Sequence, residues 1–160
     1  MLAHSEMKQE QRLVAEVYRF LAPFVDTTES IYISLDGQAA QTGMAKGLFT
    51  HPTIPDLWFT FVGAHEPTLI EAKTVRAGKV LLMQSQLQSW RSTGTGAHKP
   101  KSWIAVNTEF DRFYYWTHTD FFPRLDATQA TTPTVNLRLP DNLLEFRHPN
   151  ELALQIIRNA

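Results

Sequence analysis

The chain has 160 residues, 43% hydrophobic and 19% charged, the size and mix of one globular domain around a single core. A net charge of −1 does not announce a polyanion binder, and the lack of cysteine excludes disulfides, zinc–thiolate sites and thiol nucleophiles. No apolar run approaches the roughly 20 residues of a membrane span. The polar stretch Met1–Arg12 lacks the apolar segment of a secretory signal, so a cytoplasmic protein with no membrane partner is the expectation.

Residues 5–24 read as an amphipathic helix. Leu13, Val14, Val17, Tyr18, Leu21 and Phe24 recur at helical spacing, with Ser5 as N-cap and Pro23 near the end. Residues 30–35 alternate like a strand, and a Gly- and Gln-containing loop fills 36–53. Ile54–Val62 and Thr68–Val75 read as two strands around a Gly63–Pro67 turn. Over 80–92 the spacing of Val80, Met83, Leu87 and Trp90 predicts a helix, and Ser92–Lys101 a loop. Ser102–Val106 and Arg112–Thr117 complete the strands. Beyond them, a Thr-rich loop (127–134), a possible strand (135–139) and a closing helix (149–158) are read. The order α-β-β-β-α-β-β implies an α/β domain with one central mixed sheet flanked by helices, and a short C-terminal extension over 118–160.

The informative stretch is Ile54-Pro55-Asp56-Leu57-Trp58-Phe59, followed by Leu69-Ile70-Glu71-Ala72-Lys73. Strand side chains alternate, so Leu69, Glu71 and Lys73 share one face. Two charges on one face of an apolar strand are costly unless they are paired or bind a ligand. A hairpin between the strands brings Asp56 beside Glu71, and two close carboxylates repel unless a cation sits between them. Oxygen ligands suit Mg²⁺, with Mn²⁺ as a substitute. The triplet alone is weak: Glu6-Met7-Lys8 matches it on a helix, and Pro140-Asp141 has no triplet after it.

Pro55-Asp56 with Glu71-Ala72-Lys73, carried on this element order over residues 5–117, resembles the PD-(D/E)XK nuclease superfamily. The resemblance implies a restriction-endonuclease-like core and metal-dependent hydrolysis of phosphodiesters, leaving a 5′-phosphate and a 3′-hydroxyl. Asp56, Glu71 and the Ala72 carbonyl would hold the metal, and Lys73 would position or help deprotonate the attacking water. Many members add a glutamate from the first helix. Glu10 falls at the middle of the Leu13–Val14–Val17–Leu21 stripe, whereas Glu16 lies about 120° away. Virus-type replication-repair nuclease modules and some junction resolvases carry a glutamine on the helix after the triplet. Gln84, Gln86 and Gln88 compete for that role, and spacing favours Gln84.

Between Glu71 and Glu109 there is no acidic residue, while Arg76, Lys79, Arg91, Lys99 and Lys101 all fall there. Beside a nuclease centre this stretch reads as a nucleic-acid surface, its 92–101 loop draped over a DNA backbone. Trp58 and Trp103 are candidate base-stacking residues, though in strands such residues usually build the core; scattered His51 reads as a surface residue. A domain this small would need a homodimer, a partner protein or nucleic-acid shape for its specificity. The functional expectation is a structure-selective DNA endonuclease, ahead of a short restriction-type enzyme or a non-catalytic binding protein.

Overall fold

The computed structural model describes residues 4–35, 38–42 and 53–160, with side chains described over 9–34 and 53–160. In chain order the elements are α1 (His4–Leu21), a 3-10 turn (Ala22–Phe24), β1 (Ile31–Leu35), β2 (Gln38–Thr42), β3 (Leu57–Phe59), β4 (Thr68–Val75), β5 (Lys79–Met83) and α2 (Gln84–Trp90). They continue with β6 (Ser102–Asn107), β7 (Phe113–Thr117), α3 (His118–Ala127), β8 (Thr134–Arg138), β9 (Leu144–Phe146) and α4 (Pro149–Arg158).

Seven strands form one mixed sheet in the order β2-β1-β3-β4-β6-β7-β9, and β5 pairs with β8 in a separate two-stranded ribbon. Within the large sheet only β4 and β6 pair in parallel, the other neighbours being antiparallel. Alternation along the strands sorts the core into two layers. Ile33, Leu57, Ile70, Ala72, Ile104 and Phe113 face α1 and α4, where Leu13, Val14, Val17, Leu21, Leu152 and Ile156 are buried against them. Trp103, Ala105 and Trp116 face the other way, onto α2, α3 and the ribbon through Leu87, Trp90, Phe121, Val80 and Leu137.

The expected central mixed sheet with helices against it is therefore present, and β4 has the bounds read from the sequence. Several elements differ. Ser5 lies inside α1 rather than capping it, and Phe24, placed on the apolar stripe, is 51% exposed because the helix ends at Leu21. Part of the expected 36–53 loop is β2, a strand paired along the whole of β1; residues 43–52, with His51, lie outside the described residues. The strand expected over 54–62 is regular only at Leu57–Phe59.

The largest correction concerns 79–83, which is β5 and not the start of a helix. Arg76 and Lys79 exchange backbone hydrogen bonds (2.9 and 3.0 Å) around Ala77 and Gly78, at φ 51° and 73°. Positive φ at both central residues is the geometry of a two-residue type I′ hairpin. Val80 and Leu82 are buried while Lys79 and Met83 are exposed, a period of two and not 3.6. Two elements of the extension are also additional, α3 and β9. Pro123 speaks against a helix there, but Thr117 caps it, accepting from the Asp120 amide, and Phe121 and Leu125 are buried beneath it.

Candidate active site

β4 leaves its partner early. Leu57 pairs with Ile70 and the β3 pairing goes no further, so beyond Ile70 no strand among the described residues lies beside the β3-facing edge of β4. Two carboxylates take its place. Asp56 Oδ2 accepts the Ala72 amide at 2.9 Å, and Glu10 Oε1, arriving from α1, accepts the Thr74 amide at 3.3 Å. Residues alternate in the direction of their backbone groups, so the Ala72 carbonyl points to the same edge as its amide.

Glu71 and Lys73 project from β4 into the second core layer and are 3% and 2% exposed. Their charged ends lie 3.2 Å apart. Gln86, buried in the first turn of α2, joins them: its Oε1 accepts from Lys73 Nζ at 3.1 Å, and its Nε2 donates to Glu71 Oε2 at 3.3 Å. The same Oε1 accepts the Met83 amide at 3.1 Å, which fixes the β5–α2 junction against the pair. Asp56, Glu71, Lys73, Glu10 and Gln86 together line a cavity of about 90 Å³, closed by Leu81, Met83 and Thr134 of the ribbon. A space of that size holds several waters.

Three carboxylates and one ammonium leave two uncompensated negative charges in this cavity when all are ionised. The consequence is visible in their protonation. Burial pushes Glu71 well above the usual carboxylate range, and Asp56 adds to it, while Lys73 pulls the other way. Burial also raises Asp56, against the Ala72 amide and Lys73. Burial works against a charged Lys73, but Glu71, Glu10 and Asp56 outweigh it, so its pKa lies above the ordinary lysine value.

No family model, curated protein or solved structure matches the chain.

The donor set can be tested against a divalent cation on chemistry alone. Among the described residues no group of three or more His, Asp or Glu side chains is arranged to hold an ion. The Asp56 and Glu71 carboxylates, which share one cavity, and the Ala72 carbonyl nevertheless supply the oxygen ligands that suit a hard cation completing its shell with water. A cation there would also relieve the repulsion from Asp56 that adds to burial in raising Glu71.

Of the residues singled out from the sequence, Asp56, Glu71, Lys73 and Glu10 meet in one cavity. Gln84 does not: its Nε2 donates to the Ala130 carbonyl at 2.8 Å, and Gln86 stands in the site instead. The difference follows from where α2 begins, because Gln86 falls where a side chain folds back onto the helix start.

The expected basic surface divides. The Arg91 guanidinium donates to the Thr128 carbonyl at 3.1 Å, tying the end of α2 to the segment after α3, and Lys99 donates to the Arg91 carbonyl at 2.9 Å, tying its own loop back to that end. Lys101 pairs with Glu66 at 3.1 Å and lines a different cavity with Tyr115 and Ile156. Only Arg76 and Lys79 sit at the turn that leads into the ribbon wall of the site. Trp103 is fully buried core. Trp58 is partly buried against Ile54, its ring 5.0 Å from that of His98.

Proposed function

We propose that this protein is a metal-dependent nuclease with a restriction-endonuclease-like core, hydrolysing phosphodiester bonds of DNA at the Asp56–Glu71–Lys73 cavity. The observation that carries this reading is the pairing on β4 itself. Glu71 and Lys73 are buried side by side within a largely apolar strand, and Asp56 sits on the amide of the residue between them. A buried ion pair adds little stability over apolar residues of the same volume, and extra like charge beside it is a net cost. Such a cluster is explained by chemistry more readily than by folding.

In this reading Asp56, Glu71 and the Ala72 carbonyl would hold one Mg²⁺ or Mn²⁺, with Glu10 in the same cavity. The ion would supply Lewis-acid stabilisation of the phosphoryl oxygens and a water of lowered pKa. Lys73, held charged by its neighbours, orients the attacking water and offsets charge growing on the phosphate; it is not the base. Gln86 fixes the Lys73 ammonium and one Glu71 oxygen at once. The ribbon residues Leu81, Met83 and Thr134 narrow the entrance and limit bulk water.

Among the described residues no helix is long and apolar enough to cross a membrane. A small domain of this kind acts on a structural feature such as a branch or flap, as a homodimer or beside a protein that supplies specificity. The test is incubation with plasmid, linear, branched and single-stranded DNA, with Mg²⁺ or with EDTA. Metal-dependent cleavage leaving 5′-phosphates supports the proposal, and metal-independent cleavage or none rejects it.

A further inference from the structure

The β5–β8 ribbon has an unusual outer face. Its buried face is formed by Val80, Leu82 and Leu137. The opposite face, by alternation, carries Lys79, Leu81 and Met83 from β5 and Arg138, Asn136 and Thr134 from β8, paired in that order. At one end, Leu81, Met83 and Thr134 are the wall of the acidic cavity. At the other, Lys79 and Arg138 stand directly opposite each other, both exposed.

Like charges directly across a ribbon oppose its formation. Nothing on the ribbon offsets them, for neither strand contains an acidic residue. Among the described residues neither cation has a side-chain partner, and Asp141, the nearest acid in sequence after β8, pairs with Arg124 at 3.0 Å. Arg76 joins the cluster through its backbone pairing with Lys79. Lys79 stands two residues from Leu81 and four from Met83, so the cations lie roughly 7 to 13 Å from the wall residues of the cavity along the ribbon.

We propose that this face is the track of a nucleic-acid strand, with Lys79 and Arg138 binding backbone phosphates a few nucleotides from the one in the cavity. The inference rests on the nuclease reading above and extends it. A polyanion bound only at the acidic cavity would be repelled by Asp56, Glu71 and Glu10. A pair of cations at the far end of the cavity's own wall draws it in and fixes the direction in which it enters. An acidic protein would meet the same two charges but has no reason to continue into a carboxylate-lined cavity. Arg138 lies outside the basic stretch of the sequence, and only the β5–β8 register brings it beside Lys79.

The experiment measures binding of metal-free protein to a labelled duplex at several salt concentrations. The logarithm of affinity should fall with log salt by roughly 0.9 per phosphate contact. Replacing both residues, Lys79→Ala with Arg138→Ala, should flatten the slope by nearly 2 and weaken all sequences alike. Lys79→Arg with Arg138→Lys should restore it, and Lys99→Ala with Lys101→Ala should leave it unchanged. Circular dichroism and Mn²⁺ binding at the cavity report separately that the variants are folded with an intact site. An unchanged slope in the Lys79/Arg138 double variant overturns the track while the nuclease reading stands. Wild-type protein that binds no nucleic acid at any salt overturns both.

Discussion

Gln86 Oε1 accepts a hydrogen bond from Lys73 Nζ at 3.1 Å, while its Nε2 donates to Glu71 Oε2 at 3.3 Å. One uncharged side chain therefore sets the geometry of both charged residues on β4. Gln86→Ala should lower cleavage by on the order of 10-fold to 100-fold with metal affinity less affected, because it positions rather than ligates. Gln84→Ala removes only the bond to Ala130, on the far side of α2, and should change activity less than about twofold. Steady-state kinetics of the two variants separate the roles; equal losses would contradict the assignment.

Lys73 has the sharpest expected phenotype. Lys73→Ala should cost activity by a factor on the order of 10² or more, since a charge positioned on water and phosphate is lost. Mn²⁺ binding should survive, because the ammonium repels rather than holds a cation. Calorimetric titration with Mn²⁺ checks it; loss of binding would make Lys73 a structural residue.

Glu71 predicts an inverse relation between activity and stability. Its carboxyl is raised by burial and by Asp56, so it holds its proton more tightly in the folded protein than in the unfolded chain. A group with a raised folded pKa costs stability once pH rises above its unfolded value. Glu71→Gln should accordingly be inactive, yet more stable than the natural sequence at pH 7 in EDTA, with the difference shrinking as pH falls into the usual carboxylate range. Urea unfolding at several pH values measures this, and a less stable variant at pH 7 would show that the carboxylate pair holds the fold together.

His118 gives a second pH dependence, of opposite sign and away from the site. Its Nδ1 accepts from the Trp103 indole at 2.9 Å and its Nε2 faces the Trp90 carbonyl at 2.7 Å, so the buried ring is neutral and donates through Nε2. Burial lowers its pKa to about 4. Stability should then be complete above about pH 6.5, the ordinary histidine value, and fall as pH drops toward 4, by about 3 kcal/mol in all. His118→Gln should remove most of that slope. A slope unchanged in the variant would assign the acid sensitivity to other groups.

Glu71 and Lys73 of the candidate site are legible in the sequence because they lie on β4, whose apolar run, turn before it and bounds are all local signals. Asp56 follows from a short hairpin, and Glu10 from helical periodicity, since an acid at the centre of an apolar stripe must meet something polar. What is not legible depends on contacts between distant segments. The β5 strand is hidden because Val80, Met83, Leu87 and Trp90 happen to fit a helical period, although Ala77-Gly78 after a strand carries the turn signal that separates them. That misplaced boundary is also what shifts the glutamine from 86 to 84. The partner of β5 lies more than fifty residues away, so the Lys79–Arg138 pair has no local signature at all. Arg91, Lys99 and Lys101 look like a binding surface in sequence because their partners, Thr128, the Arg91 carbonyl and Glu66, are supplied by the fold or lie outside the basic stretch.

Hydrolysis of phosphodiesters at the Asp56–Glu71–Lys73 cavity with a divalent metal is decided by comparing the natural protein with Asp56→Asn on a labelled branched duplex in Mg²⁺, with end-group analysis of the products. Asparagine can still accept the Ala72 amide, so the edge of β4 is preserved while a ligand charge is removed. The natural protein should cleave and leave 5′-phosphate ends, and a folded Asp56→Asn variant should lose at least about 10²-fold of that activity. Cleavage undiminished in that variant, or persisting in EDTA, would contradict metal-dependent hydrolysis at this cavity.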